Sequence, residues 1–163
     1  MQLTRFTDYA LRVLMFLADR QGMRTTIKEV SDAHRISEDH LMKVVHRLSK
    51  LGYLTAVRGK GGGIKSARLP SEIFIGQVIR SIEPLTPVEC FVPGYDGACI
   101  LYPNCALRGA LLSAQSNYLK ALDAYTIADV IKHPPRRNSG TPGAASRASP
   151  RAAKTRARRM QPH

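Results

Sequence analysis

Three cysteines, Cys90, Cys99 and Cys105, fall within sixteen residues of a 163-residue chain that has no others. Thiols gathered in this way act as small buried hydrophobes, as zinc ligands or as ligands of an iron–sulfur centre. The surrounding segment holds Pro84, Pro87, Pro93, Gly94, Gly97 and Pro103 and offers little core, which argues against simple burial. Zinc sites favour cysteine pairs about two to four residues apart; the gaps here are eight and five residues. Iron–sulfur clusters are held at looser spacings and fit better. A bound cluster would also order a loop without regular structure, because ligation supplies folding free energy. The odd count argues against a disulfide framework. Ala106, Leu107 and Arg108 follow Cys105, so a fourth ligand must come from elsewhere.

No Ser/His/Asp set, paired-carboxylate site or nucleotide loop accompanies the thiols, so an enzyme is not expected. The glycines of Gly59-Lys60-Gly61-Gly62-Gly63 lack the Gly-Lys-Ser/Thr order of a P-loop. They sit instead between two β-prone runs, 53–58 and 64–69, and read as a hairpin connector.

Ahead of that hairpin the pattern is helical. Phe6, Ala10, Val13, Leu14 and Leu17 recur at helical spacing. Thr26 and Glu29 have the spacing of a capping box for a short second helix ending near Ala33. Ser37 is a good N-cap for a third helix reaching Lys50, with Leu41, Val44, Val45 and Leu48 facing inward. Two short helices, a tight turn and a hairpin have the layout of a winged helix-turn-helix, whose second helix would enter the major groove of double-stranded DNA. Ser37, Glu38, His40, Lys43 and Arg47 point away from the apolar stripe and are the candidate DNA-binding residues, joined by Arg58 and Lys60 of the wing.

The remaining elements position the cysteines. A helix over 75–82 should stop before Pro84. After Cys105, Leu107, Leu111, Ala114, Tyr118, Ala121 and Tyr125 are spaced four, three, four, three, four, a seam on which a helix pairs with its own copy. Thr126 and Asp129 open a last short helix. The expected fold is mainly α with a small β-hairpin wing, a winged helix-turn-helix plus a long C-terminal dimerisation helix. Its divisions are a DNA-binding domain at 1–83, a cluster-binding loop at 84–105, a dimerisation helix and short terminal helix at 106–133, and a disordered basic tail at 134–163.

The net charge of +13 overstates attraction to nucleic acid. Residues 1–133 carry 17 Lys and Arg against all 12 acids, whereas 134–163 carry 8 basic residues and no acid. The tail is composed for disorder, and could equally be a solubilising extension or add phosphate contacts. No leader or membrane span is visible, so a cytoplasmic protein without a membrane partner is expected.

The opening from Met1 to Arg12, the wing Val57-Arg58-Gly59-Lys60-Gly61-Gly62-Gly63-Ile64, the stretch Ile75-Gly76-Gln77-Val78-Ile79, Cys99 through Leu107, and Asp123 through Val130 together resemble the NsrR family. These are nitric-oxide-sensing repressors in a winged-helix superfamily that also contains IscR. The resemblance covers roughly residues 1–133. It implies a homodimeric repressor of double-stranded operator DNA with nitric oxide as its signal and an iron–sulfur cluster, 4Fe-4S ahead of 2Fe-2S, held by Cys90, Cys99 and Cys105. It also implies a fourth ligand at Asp8, supplied by the partner subunit. The alternative is an IscR-like regulator responding to iron, cluster supply or redox stress. Such regulators place a histidine three residues after the last cysteine, where this chain has Arg108.

Overall fold

The computed structural model describes residues 2–20, 22–57, 59, 61–102 and 104–131. The expected tail at 134–163 therefore lies outside the described residues. Within the described residues, six α-helices and one hairpin run in the order α1 Arg5–Asp19, α2 Ile27–His34, α3 Glu38–Lys50, β1 Leu54–Val57, β2 Gly63–Ser66, α4 Ile75–Ile82, α5 Ala106–Asp123 and α6 Ile127–Ile131. No helix among the described residues is long and apolar enough to cross a membrane.

One core joins the first three helices, the hairpin and α6. Ala10, Val13, Leu14 and Leu17 of α1 pack with Val30 of α2, with Leu41, Val44 and Leu48 of α3, and with Ile64, Ile73 and Ile127. The spacings that predict each helix are those that bury its face. Thr26 and Glu29 form the expected capping box, each side chain meeting the other's backbone N–H. Between α2 and α3, Arg35 adopts a left-handed conformation (φ 54°), which carries a steric cost of about 1–2 kcal/mol. The turn is held there by the Ser31 hydroxyl donating to the Ile36 carbonyl at 2.6 Å and by burial of Ile36.

The strands are shorter than the β-prone runs. Leu54 pairs with Ser66, and Val57 with Gly63. Tyr53 is instead buried under the end of α3, its N–H donating to the Leu48 carbonyl. On the other side, Arg68 leaves the ladder to donate to the Leu51 and Gly52 carbonyls while lying 4.8 Å over the Tyr53 ring. A contact not foreseen from sequence widens the hairpin. Thr25 exchanges two backbone hydrogen bonds with Ile64, of 2.9 and 2.7 Å, and so acts as a one-residue third strand.

Helix α4 stops at Ile82, with Glu83 extended before Pro84, as the steric rule requires. Its other face meets α5. A Cβ at Gly76 would meet the Asp123 carboxylate and lie 2.9 Å from the Leu119 carbonyl, so this close approach requires glycine. Beside it, Arg80 grips Asp123 with two 2.6 Å hydrogen bonds. The chain then returns to α1: Phe74 and Thr126 form a β-bridge that delivers Ile127, fully buried, beneath α1. The expected cap is present here too, with Asp129 accepting from the Thr126 N–H at 2.9 Å.

By contrast, α5 buries only Leu119. The helix ends at Asp123, so Tyr125, the last position of the expected seam, falls beyond it; Leu107 at the other end is 64% exposed in the single chain. The loop before α5 is irregular as expected, apart from one 3-10 turn at Glu89–Phe91.

Both contacts between α4 and α5 can be tested through stability. Gly76→Ala should cost about 1–3 kcal/mol by urea unfolding, since the new methyl has to separate α4 from α5. The Arg80 hydrogen bonds, and its charge secondarily, hold the Asp123 carboxyl below its ordinary value. That contribution is fully present above the unfolded pKa of about 3.9 and is lost as pH falls through the lower folded value. Asp123→Asn should therefore flatten the acid limb of the stability profile and leave its neutral part without added slope.

Candidate functional site

Helix α3 buries Leu41, Val44, Val45 and Leu48 and turns its other face to solvent. Ser37, Glu38, His40, Lys43 and Arg47 are all exposed on or just before it. Ser37 occupies the N-cap position without capping a backbone N–H, and its hydroxyl lies 2.9 Å from His40 Nδ1. The His40 ring in turn tilts against Tyr9 of α1 at 6.2 Å. Glu38, His40 and Lys43 are thus presented by a rigid helix. Arg47 differs: its guanidinium donates to the Ser81 carbonyl at the end of α4, 2.7 Å away. Arg58 and Lys60 lie outside the described residues.

Between α3 and the wing is a cleft of about 520 Å³, lined by Lys28, Glu38, Met42, His46, Val57 and Gly63, among others. The wing is tied to the segment just before α2 by Arg24, which donates to the Gly61 carbonyl at 2.6 Å, and by the Thr25–Ile64 bridge. Gly63 (φ +150°) is needed there, because a Cβ would come within 2.8 Å of both the Arg24 side chain and the Thr25 carbonyl. Arg24, Lys28 and His46 were not singled out from sequence. For Arg24 no local signal existed, since its partner is 37 residues away.

All three cysteines are free thiols, with Cys90 and Cys105 half-buried and Cys99 exposed. Cys90 sits in the 3-10 turn, and Cys105 occupies the N-cap position of α5. Arg108, one turn into α5, brings these two elements together. Its guanidinium lies 5.7 Å from the Phe91 ring and 5.8 Å from the Tyr102 ring, with a long 3.5 Å bond to the Cys90 carbonyl. The Cys99 N–H donates to the Tyr95 hydroxyl at 2.7 Å, and Tyr95 packs edge-on against Tyr102. Among the described residues, no three Cys, His, Asp or Glu side chains converge as a metal-binding group. The donor chemistry nevertheless fits a thiolate-held cluster. Three unpaired thiols share one loop, the Arg108 cation reaches the Cys90 carbonyl, and the N-terminus of α5 has neither a side-chain cap nor an acid in its first turn.

Asp8 is not grouped with the thiols in the single chain. Its carboxylate is held by Arg12 one turn on, at 2.8 and 3.0 Å. Nearby, His34 packs edge-on against Phe16; burial, then the Arg12 charge, hold it below its ordinary pKa against the opposing effect of Asp8.

Residues 3–133 match the family model described as Rrf2, iron-dependent transcriptional regulator. The chain is 49% identical over 134 residues to the HTH-type transcriptional regulator NsrR of Geobacillus kaustophilus, covering 81% of this chain and 90% of that one. It is 44% identical over 135 residues to NsrR of Bacillus subtilis, covering 82% and 92%. Among solved structures, CymR, the global cysteine regulator of Bacillus subtilis, superposes with a TM-score of 0.63 at 24% identity, covering 81% of this chain and 97% of that one. At that identity the likeness concerns the fold alone, which is the winged-helix regulator fold.

Gly63→Ala tests how the wing is placed. The added methyl should part Ile64 from Thr25 at a cost of about 1–3 kcal/mol. Hydrogen exchange at the Thr25 and Ile64 amides should accelerate while that of the α3 core stays slow; equal protection of all three would refute this account of the wing.

Proposed function

The chain belongs to the Rrf2 family of transcriptional regulators, and from that premise we propose that it is a nitric-oxide-sensitive repressor that binds operator DNA as a homodimer. In this reading α3 lies in the major groove. Ser37, Glu38, His40 and Lys43 meet base edges and neighbouring phosphates, and Arg58 and Lys60 of the wing meet the backbone. The exposed seam of α5 pairs with the same seam of a second copy, which covers the apolar surface left open in one chain.

Cys90, Cys99 and Cys105 would hold an iron–sulfur cluster, 4Fe-4S ahead of 2Fe-2S. Asp8 of a second copy would serve as fourth ligand after release from Arg12. When bound, such a cluster supplies iron able to react with nitric oxide. The chain's own part is mechanical and electrostatic. Arg108 offsets thiolate charge and ties the turn of Cys90 to the helix of Cys105, and the loop starts directly after α4, whose last turn is bonded to the reader through Arg47.

The observation that carries this reading is the set of three free thiols on one loop between α4 and the α5 seam. It is supported by 44–49% identity to regulators named NsrR over nine-tenths of their length. The rival reading, an IscR-like response to iron, cluster supply or redox stress, shares the fold and the DNA face. Arg108, where such regulators have histidine, weighs against it.

Anaerobic purification should give a coloured dimer containing iron and sulfide. Its binding to duplex selected from a randomised library should change on addition of nitric oxide. Cys99→Ala should lose the iron and the response together. A colourless protein without iron, or a Cys99→Ala variant that binds tightly and still responds, would sink the proposal.

A further inference from the structure

We propose that Arg47 is a positioning residue that couples the cysteine loop to the recognition helix, rather than a reader of bases. The inference rests on the function proposed above and concerns how the state of the loop reaches α3. Arg47 shares its face of α3 with His40 and Lys43, at spacings of seven and four residues, and by sequence alone it belongs with them. Its guanidinium is committed elsewhere, to the Ser81 carbonyl at 2.7 Å.

That carbonyl is in the last turn of α4, where the helix leaves acceptors without intrahelical partners and favours a cation. The Ser81 side chain is turned back onto the helix, its hydroxyl near the Gln77 and Val78 carbonyls at 3.0 and 2.9 Å. From Ser81 to Leu85 the chain is pinned to three different helices. Ser81 is held by Arg47 of α3, Glu83 by Thr4 and Thr7 at the start of α1, and the Leu85 carbonyl accepts from Gln115 of α5 at 2.9 Å. Five residues later the 3-10 turn brings Cys90. A displacement at the start of the loop therefore acts on Ser81. Of the four exposed candidate readers on α3 itself, only Arg47 makes a side-chain bond to that junction.

The test uses full-length wild type, Arg47→Ala and Arg47→Lys, each purified anaerobically. Each is measured cluster-loaded and cluster-free against a fluorescent duplex selected with wild type from a randomised library. Wild type should show a ratio of affinities between the two states within the roughly 5–150-fold range of allosteric coupling. In Arg47→Ala that ratio should collapse towards one, whereas Arg47→Lys, which can still donate to the carbonyl, should keep most of it. Sequencing the DNA bound by Arg47→Ala should recover the wild-type preference at every position. Hydrogen exchange gives a second readout that needs no DNA: cluster removal should alter protection in the last turn of α3 in wild type but not in Arg47→Ala. The proposal is overturned if Arg47→Ala weakens both states equally, which marks a merely structural residue. It is equally overturned if one base position loses its preference while the ratio stays, which marks a reader. A wild type with no difference between states removes the coupling and the sensing function together, and is recognisable because no variant is needed to see it.

Discussion

The carboxylate of Glu83 accepts from the backbone N–H of Thr4 at 3.1 Å, from the Thr4 hydroxyl at 2.9 Å, and from the hydroxyl of Thr7, which is fully buried. An anion is thereby placed at the start of α1, where the free N–H groups and the helix dipole both favour it. Its effect reaches beyond one cap. Helix α1 contributes to the packing of α2, α3, α4, α6 and the wing, so fixing its first turn fixes the frame in which the others are placed. The same residue is the last before Pro84 and the loop of cysteines. The packed core and the beginning of the loop are thus joined through one charge-assisted cluster of hydrogen bonds.

Around that junction the stabilising interactions are unevenly spread. Helices α1 to α3 and the wing hold nine of the twelve largest fully buried side chains, whereas α5 holds none of these and buries only Leu119. Elements with few buried contacts open at lower free energy than the core. The proposed cofactor loop and pairing helix would be suited to such a margin. The proposed reader, which would present the same face to DNA each time, is not, and the turn before it is held by Ser31 and Ile36 around the left-handed Arg35.

The parts legible in the sequence were those governed by neighbours along the chain. The apolar spacing of α1 and α3, the Thr26–Glu29 box, the stop before Pro84 and the cap at Thr126 all depend on residues within a few positions. They appear as expected. What could not be read were pairings set by packing over long separations: Thr25 with Ile64, Arg24 with Gly61, Arg68 with Leu51 and Gly52, Gly76 against Asp123. Arg47 shows the limit most clearly. Its position on the outer face of α3 is as expected, but helical periodicity says nothing of a carbonyl 34 residues away that accepts from its guanidinium. The cysteine loop was recognisable as irregular, while the gathering of Phe91, Tyr102 and Arg108 within it was not.

The attachment of α5 has a geometric consequence. This helix of eighteen residues is fastened most firmly at its far end, where Gly76 admits close contact and Arg80 grips Asp123. Cys105 lies at the opposite tip. A rod of this length spans about 27 Å at 1.5 Å per residue. Each degree of tilt about the Asp123 end then moves the Cys105 tip by about 0.5 Å over that length. The helix is in effect a lever arm with its fulcrum on α4: a sub-ångström change in bonding at the cysteines corresponds to about a degree of rotation there. In a two-fold pair of such arms the rotations of the two copies would add, and the separation of the paired reading helices would register the sum.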